Sequence, residues 1–194
     1  MAKQDNKQKL IEATDKLLQT NSLFAITTKE ITTTAGLSVG VFYNYFKAKE
    51  DAFKEVVNRF FKYTVATLER LKQELTGNNI RSEIKFKEAL INGIDKQWEN
   101  NFLNGDIIIL SRQDHQFRDT INRYNDQIIE LIMDILMITN PLIKEKPKVK
   151  AMLVMNLIEN SGPAFFKFDS AAQQEAYIDE LVMTIYKICF GKES

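Results

Sequence analysis

The stretch from Thr27 to Phe46 constrains this chain more than any other, because a helix start, a helix stop and a second helix start follow one another there in close succession. Thr27 and Glu30 stand at capping-box spacing, in which each side chain satisfies a backbone N–H that the first helical turn leaves unpaired. A helix therefore begins at Thr28. Gly36 is the residue that most readily takes the left-handed conformation closing a helix, which holds this one to about two turns. Ser38 is a good cap for a further short helix from Val39 to about Phe46, and Lys49-Glu50-Asp51 opens a long one running to about Leu75 and closed by Gly77-Asn78-Asn79.

The rest of the chain reads as helix too. Seven Gly and three Pro in 194 residues supply too little turn chemistry for a many-stranded β protein. A hydrophobic share of 44% against 27% charged is the balance of an ordinary globular protein, so the chain can bury a core. Ahead of Thr27, the apolar positions Leu10, Ile11, Ala13, Leu17 and Leu18 recur at helical spacing from Lys7 to Thr20. Beyond Leu75, helices are expected at about 81–100, 106–113, 116–139, 147–167 and 171–190, separated by Asn104-Gly105, Asn140-Pro141 and Asp169-Ser170. In the last helix Ile178, Leu181, Val182, Ile185 and Cys189 line one stripe, and Ser170 with Gln173 can form another capping box. Pro163 should kink or interrupt its partner. The expected fold is all-α: an N-terminal three-helix domain over residues 1–50 and a larger helical bundle over 51–194, about nine helices in all.

Two short helices joined by a tight Gly-containing turn are a helix-turn-helix, whose second helix enters the DNA major groove while the first braces it. Ile31, Ala35, Leu37 and Phe42 supply the apolar contacts that fix the two at an angle. The outward residues of the second are then Val39, Gly40, Val41, Tyr43, Asn44 and Tyr45, with Lys47 and Lys49 just beyond. Valine methyls can meet thymine methyls, Asn44 can pair with an adenine edge, and Gly40 lets backbone approach closely, while tyrosine hydroxyls and lysines suit phosphate oxygens. The net charge of zero divides unevenly, at about +3 over residues 1–62 and about −3 over the rest.

The run Ile31 to Glu50, read as Ile-Thr-Thr-Thr-Ala-Gly-Leu-Ser-Val-Gly-Val-Phe-Tyr-Asn-Tyr-Phe-Lys-Ala-Lys-Glu, resembles the signature of the TetR family of transcriptional regulators, and the resemblance covers about residues 7–56. It implies phosphate contacts from Thr27 and Tyr43, a further backbone contact from Tyr45, and a phosphate held by Lys49 at the N-terminus of the fourth helix, where anions are favoured. Val39, Gly40, Val41 and Asn44 fall where family members touch base edges. Ser38 both caps and can contact phosphate, and Phe42 and Phe46 fall in the core. Thr32 replaces the usual Ala, Ser22 stands where Gly is common, and Val41 replaces Thr or Ser, removing a hydroxyl from the reading surface. The weakly basic N-terminal region implies fewer phosphate contacts than a strongly cationic binder makes.

For the remaining helices the resemblance implies a ligand-holding bundle whose last two helices pair with a second subunit. The partners it implies are double-stranded operator DNA with two-fold symmetry, a small-molecule effector and a second copy of the chain. The mechanism it implies is a repressor released from its operator when the effector favours a state whose reading helices no longer match the groove. Trp98, Phe102, Tyr124 and Met133 are candidates to line the pocket, although aromatic and methionine side chains at helical spacing are more often plain core. His115, the only histidine, reads as a solvated loop residue without the partners a metal site needs. Lone Cys189 fits a reducing compartment and a buried position. The lysines at 144, 146, 148 and 150 read as a solvated loop and helix start.

No signal peptide or membrane-length apolar run is present, so a cytoplasmic protein without membrane contact is expected. No cofactor or metal motif is found, and neither Gly-x-Ser-x-Gly nor a P-loop occurs, so an enzyme is not expected. The rival reading is a helical adaptor or co-regulator that keeps this fold without binding operator DNA.

Overall fold

The computed structural model describes residues 2–76, 88, 102–139, 146–165 and 167–190. Among them are eight helices and no strand: α1 (Ala2–Leu18), α2 (Thr28–Ala35), α3 (Val39–Tyr43), α4 (Lys49–Thr76), α5 (Leu103–Gln113), α6 (His115–Thr139), α7 (Pro147–Phe165) and α8 (Ala171–Phe190). The helix expected at 81–100, its preceding Gly77-Asn78-Asn79 stop and the Asn140-Pro141 break lie outside the described residues. The chain divides into two compact units, Met1–Lys62 with Asn100–Ile121 and Tyr63–Glu99 with Asn122–Ser194.

In the first unit, α1 buries Leu10, Ile11, Ala13 and Leu18 along one stripe. It starts five residues before the expected Lys7, because its polar first turns carry helix support that apolar periodicity does not register. Lys9 pairs with Asp5 there at 2.8 Å, one turn away. Thr14 sits on the buried stripe with no exposure, and its hydroxyl donates to the Leu10 carbonyl at 2.8 Å. Facing residues come from α2 and α3 (Ile31, Phe42), from the start of α4 (Ala52, Phe53, Val56, Val57, Phe61), from α5 (Leu103, Ile107, Leu110) and from α6 (Phe117, Ile121). Phe53 and Phe117 meet with ring centroids 6.2 Å apart.

α5 begins at Leu103, so the expected break at Asn104-Gly105 falls inside its first turn. Gly105 is helical there and open to solvent. Its weak propensity costs about 1 kcal/mol, which buried Leu103, Ile107 and Leu110 outweigh. Between α5 and α6 stands a single residue, Asp114, which serves both helices. Its N–H donates to Leu110 at 2.8 Å, while its carboxylate accepts from Phe117 N–H at 2.9 Å and from Lys54 of α4 at 2.7 Å. The Lys54 hydrogen bond, followed by the Phe117 N–H, holds the Asp114 carboxyl below the usual aspartate range. Burial pulls Lys54 down, but the Asp114 hydrogen bond and the charges of Asp114 and Asp51 outweigh it and leave the ammonium above the usual lysine value.

The second unit is built from the far parts of α4 and α6 together with α7 and α8. Its core holds Val65, Leu71 and Leu75, then Ile128, Leu131, Ile132, Ile135 and Leu136, then Ala151, Val154 and Met155, and finally Leu181, Val182 and Ile185. Lys72 and Asp134 pair at 2.6 Å. α7 and α8 pack on each other, and at their junction Tyr177 donates to the Ser161 carbonyl at 3.1 Å and stacks against Phe168. The Ser170 hydroxyl accepts from Gln173 N–H at 3.3 Å, so the expected cap forms, but in place of the full capping box that hydroxyl donates to the Gln173 side-chain oxygen at 3.2 Å. Helix α7 runs unbroken to Phe165, so Pro163 lies in its last turn and does not interrupt it. The side chain of Cys189 lies outside the described residues. Among the described residues no helix is long and apolar enough to cross a membrane.

Candidate nucleic-acid interface

Local chemistry alone shapes the α2–turn–α3 segment. Thr27 is extended (φ −118, ψ 157). Its hydroxyl accepts from Glu30 N–H at 3.2 Å, and Glu30 reaches back to accept from Thr27 N–H at 2.7 Å, completing the capping box. Hydrogen bonds from the Thr27 hydroxyl and backbone hold the Glu30 carboxyl below the usual glutamate range, with the charge of Lys49 adding to them. Gly36 takes the left-handed conformation (φ 67, ψ 32). Its N–H donates to Thr33 at 3.1 Å and Leu37 N–H to Thr32 at 2.9 Å, the paired bonds of a Schellman ending. The chain then turns at once, and Ser38, extended at φ −85 and ψ 155, accepts from Val41 N–H at 3.4 Å to start α3.

α3 is shorter than the sequence suggests, ending at Tyr43 where Phe46 was expected. The backbone tightens there, with Asn44 N–H donating to Val41 and Tyr45 N–H to Phe42, three residues back in each case. Phe42 is fully buried and Phe46 nearly so, with centroids 5.4 Å apart, anchoring the inner face in the core of this unit. The outer face stands clear: Tyr43 is 58% exposed and Val39 40%, and Ser38, Gly40 and Asn44 are exposed beside them. Val41 and Tyr45 are half-buried, so the reading face is narrower than the full set of expected residues.

Thr27 is exposed at the start of α2. Lys49 lies near it, half-buried, with its ammonium donating to the Ile26 carbonyl at 2.8 Å. An ammonium carries three donors, so this bond commits one of them. Asp51 accepts from the N–H groups of Lys47 and Ala48 at 3.0 and 3.2 Å, fixing the entry into α4. Thr32, placed where Ala is usual, is buried without strain because its hydroxyl donates to the Lys29 carbonyl at 3.0 Å, a local bond open to threonine in a helix.

Of the candidate pocket residues, Trp98 lies outside the described residues. Phe102 is 40% exposed ahead of α5 in the first unit. Tyr124 and Met133 are half-buried on α6 in the second unit. At the rise of an α-helix their separation along its axis is about 13.5 Å. His115 is exposed at the start of α6. The sequence reading did not single out Asp106, whose buried carboxylate accepts from the Ser22 hydroxyl at 2.6 Å and from Leu23 N–H at 2.7 Å. The one hint was Ser22 itself, a hydroxyl standing where the resembled family commonly has glycine.

A chain all-helical over its described residues, with a solvent-facing helix locked behind a Schellman turn, has the architecture of a helix-turn-helix DNA-binding protein. Residues 10–56 match the family model described as bacterial regulatory proteins, tetR family. The fold extends that likeness over almost the whole chain. It matches a protein from Mesorhizobium loti MAFF303099 assigned to the TetR-family transcriptional regulators (17% identity, 97% of this chain and 98% of that one, TM-score 0.71). It also matches a protein from Saccharomonospora viridis assigned as a transcriptional regulator and solved in complex with choline (15% identity, 93% and 95%, TM-score 0.71). A third match is SmeT, the repressor of the Stenotrophomonas maltophilia multidrug efflux pump SmeDEF (16% identity, 93% and 91%, TM-score 0.61). No curated protein sequence matches the chain significantly. Residues 10–56 thus match the reading domain of the tetR-family model, and the chain has the fold of TetR-family transcriptional regulators.

Proposed function

We propose that the protein is a cytoplasmic, homodimeric repressor that holds a two-fold operator and is released when a small molecule binds within residues 51–194. The observation that carries the reading is the outer face of α3, where Val39, Gly40 and Asn44 stand free to meet base edges, with Ser38 and Tyr43 beside them for phosphate oxygens. Thr27 and Lys49 extend the phosphate contacts to the neighbouring helix starts, and Val41 and Tyr45 contribute from the edge of the face.

Dimerisation is supported by an apolar stripe facing solvent on the last two described helices. Val149, Met152 and Leu153 on α7 and Met183 on α8 are each about half exposed. A stripe of this kind marks a surface that another chain covers. One short reading helix is also a small contact, and a symmetric pair doubles it. Effector release is supported by kinship in fold with SmeT, a repressor, and with a regulator solved with choline bound. Tyr124 and Met133, with Trp98 and Phe102, are the proposed pocket residues.

Selection of duplexes from a random pool with the purified chain, followed by gel shifts on the enriched sequence, tests this reading. A two-fold symmetric consensus is expected, and Tyr43→Ala should lower its affinity at least about tenfold through the lost backbone contact. Because Tyr43 is largely exposed, that variant should keep its thermal stability. Failure to enrich any sequence would leave the adaptor reading in its place.

A further inference from the structure

Asp106 stands apart from every other residue on its stripe of α5. Leu103, Ile107 and Leu110 are apolar and buried, and among them Asp106 is 3% exposed. A carboxylate is costly to bury, and no cationic side chain among the described residues pairs with it. What compensates it is the loop between α1 and α2: one oxygen takes the Ser22 hydroxyl at 2.6 Å, the other the Leu23 N–H at 2.7 Å. Ser22 is itself held, its oxygen accepting from Phe24 N–H at 3.2 Å. The loop is short and leads directly to the interface. Leu23 and Ile26 are buried, the Ile26 carbonyl takes the Lys49 ammonium, and the next residue is Thr27, the cap of α2. Asp106 itself is fixed in place, since Asp114 at the other end of α5 is bonded to Lys54 of α4.

On the reading that the chain binds operator DNA, we propose that Asp106 is a positioning residue for that binding. Its two bonds to Ser22 and Leu23 hold the loop in the one arrangement that presents Thr27 and α3 to DNA together, and a shift of α5 that withdrew the carboxylate would unlatch the reading domain. Two acceptors on two neighbouring loop groups fix direction as well as distance, which an apolar contact at this position would not do. Without them only a fraction of molecules holds the competent arrangement, and apparent affinity falls by that fraction.

The test uses the full chain and the duplex enriched from a random pool by the unaltered protein, with amide hydrogen exchange as a second readout. Asp106→Leu should weaken binding on the order of tenfold to a hundredfold. It should also speed exchange at residues 23–35. Asp106→Asn should restore both, because its amide can accept from Leu23 N–H and donate to the Ser22 oxygen. Ser22→Ala, which removes one of the two bonds to Asp106 and the Phe24 N–H bond to the Ser22 oxygen but no core volume, should fall between and keeps the test decisive if Asp106→Leu folds poorly. Ile135→Val, a core change in the other unit, controls for lost stability and should leave affinity unchanged. Equal affinity and equal exchange in the wild type, Asp106→Leu and Ser22→Ala, or equal losses in Ile135→Val, would overturn the positioning role while leaving DNA binding intact. Failure of the wild type to enrich any duplex would instead overturn the DNA-binding reading, and this proposal with it.

Discussion

Replacing Gly36 by alanine tests the turn on which the reading helix depends. At φ 67 and ψ 32 this residue is in the left-handed region. That region costs an L-residue roughly 1–2 kcal/mol. A Cβ added there meets nothing within 4 Å, so no steric penalty is added. Alanine recovers part of the loss by stiffening the unfolded chain, which leaves a net destabilisation of about 1 kcal/mol. In a chain of this length that corresponds to a Tm lower by about 2–4 °C, and to a urea midpoint lower by roughly 0.3–1 M. Asparagine tolerates the left-handed region and should cost less than alanine, while valine should cost more. Because the paired bonds from Gly36 and Leu37 to Thr33 and Thr32 survive in all three variants, DNA affinity measured well below the Tm should be preserved. Circular dichroism melts and urea titrations on the series supply the numbers. An alanine variant as stable as the wild type, or an asparagine variant less stable than alanine, would refute the conformational origin assigned to the turn.

The Asp114–Lys54 pair predicts a pH dependence with a definite sign. Asp114 is held below its usual value, so its contribution is complete above about pH 3.9 and is lost as pH falls through the folded value. Lys54 is raised, so its contribution is complete below about pH 10.4 and is lost as pH rises through its folded value. The stability gap between wild type and Asp114→Asn should therefore be flat across neutral pH and close in strong acid; a gap that stays constant into strong acid would contradict it. For the proposed dimer, Leu153→Lys replaces a solvent-facing leucine. About half of its surface remains to be buried against a partner, worth about 0.8–1.5 kcal/mol in each of two copies. The dimer Kd should rise at least about tenfold by sedimentation velocity, and an unchanged mass at low micromolar concentration would place the dimer contact elsewhere.

The helix-turn-helix was legible before any coordinates, because the capping and turn bonds between Thr27 and Val41 join residues at most five apart. Thr27 with Glu30, Gly36 and Leu37 with Thr32 and Thr33, and Ser38 with Val41 are caps whose chemistry is written in residue type and spacing. The apolar stripes of α4, α6 and α8 follow from the same locality, since a 3.6-residue period assigns each position to a face without reference to neighbours. Where that locality failed, the cause was local as well: α1 extends through polar turns that show no apolar period, and α3 stops early because its last carbonyls accept tightened bonds.

Only tertiary structure decided which exposed-looking polar residues were spoken for. Ser22 and Asp106 are 84 positions apart, and Lys54 and Asp114 are likewise distant, so no spacing rule connects them. Each of these residues taken alone reads as an ordinary surface group. The half-burial of Val41 and Tyr45 within the reading segment has the same origin, because the neighbours that cover a side chain arrive from elsewhere in the chain. Short-range hydrogen bonding writes itself into sequence, whereas the partner of a buried carboxylate is chosen by how distant helices come to pack.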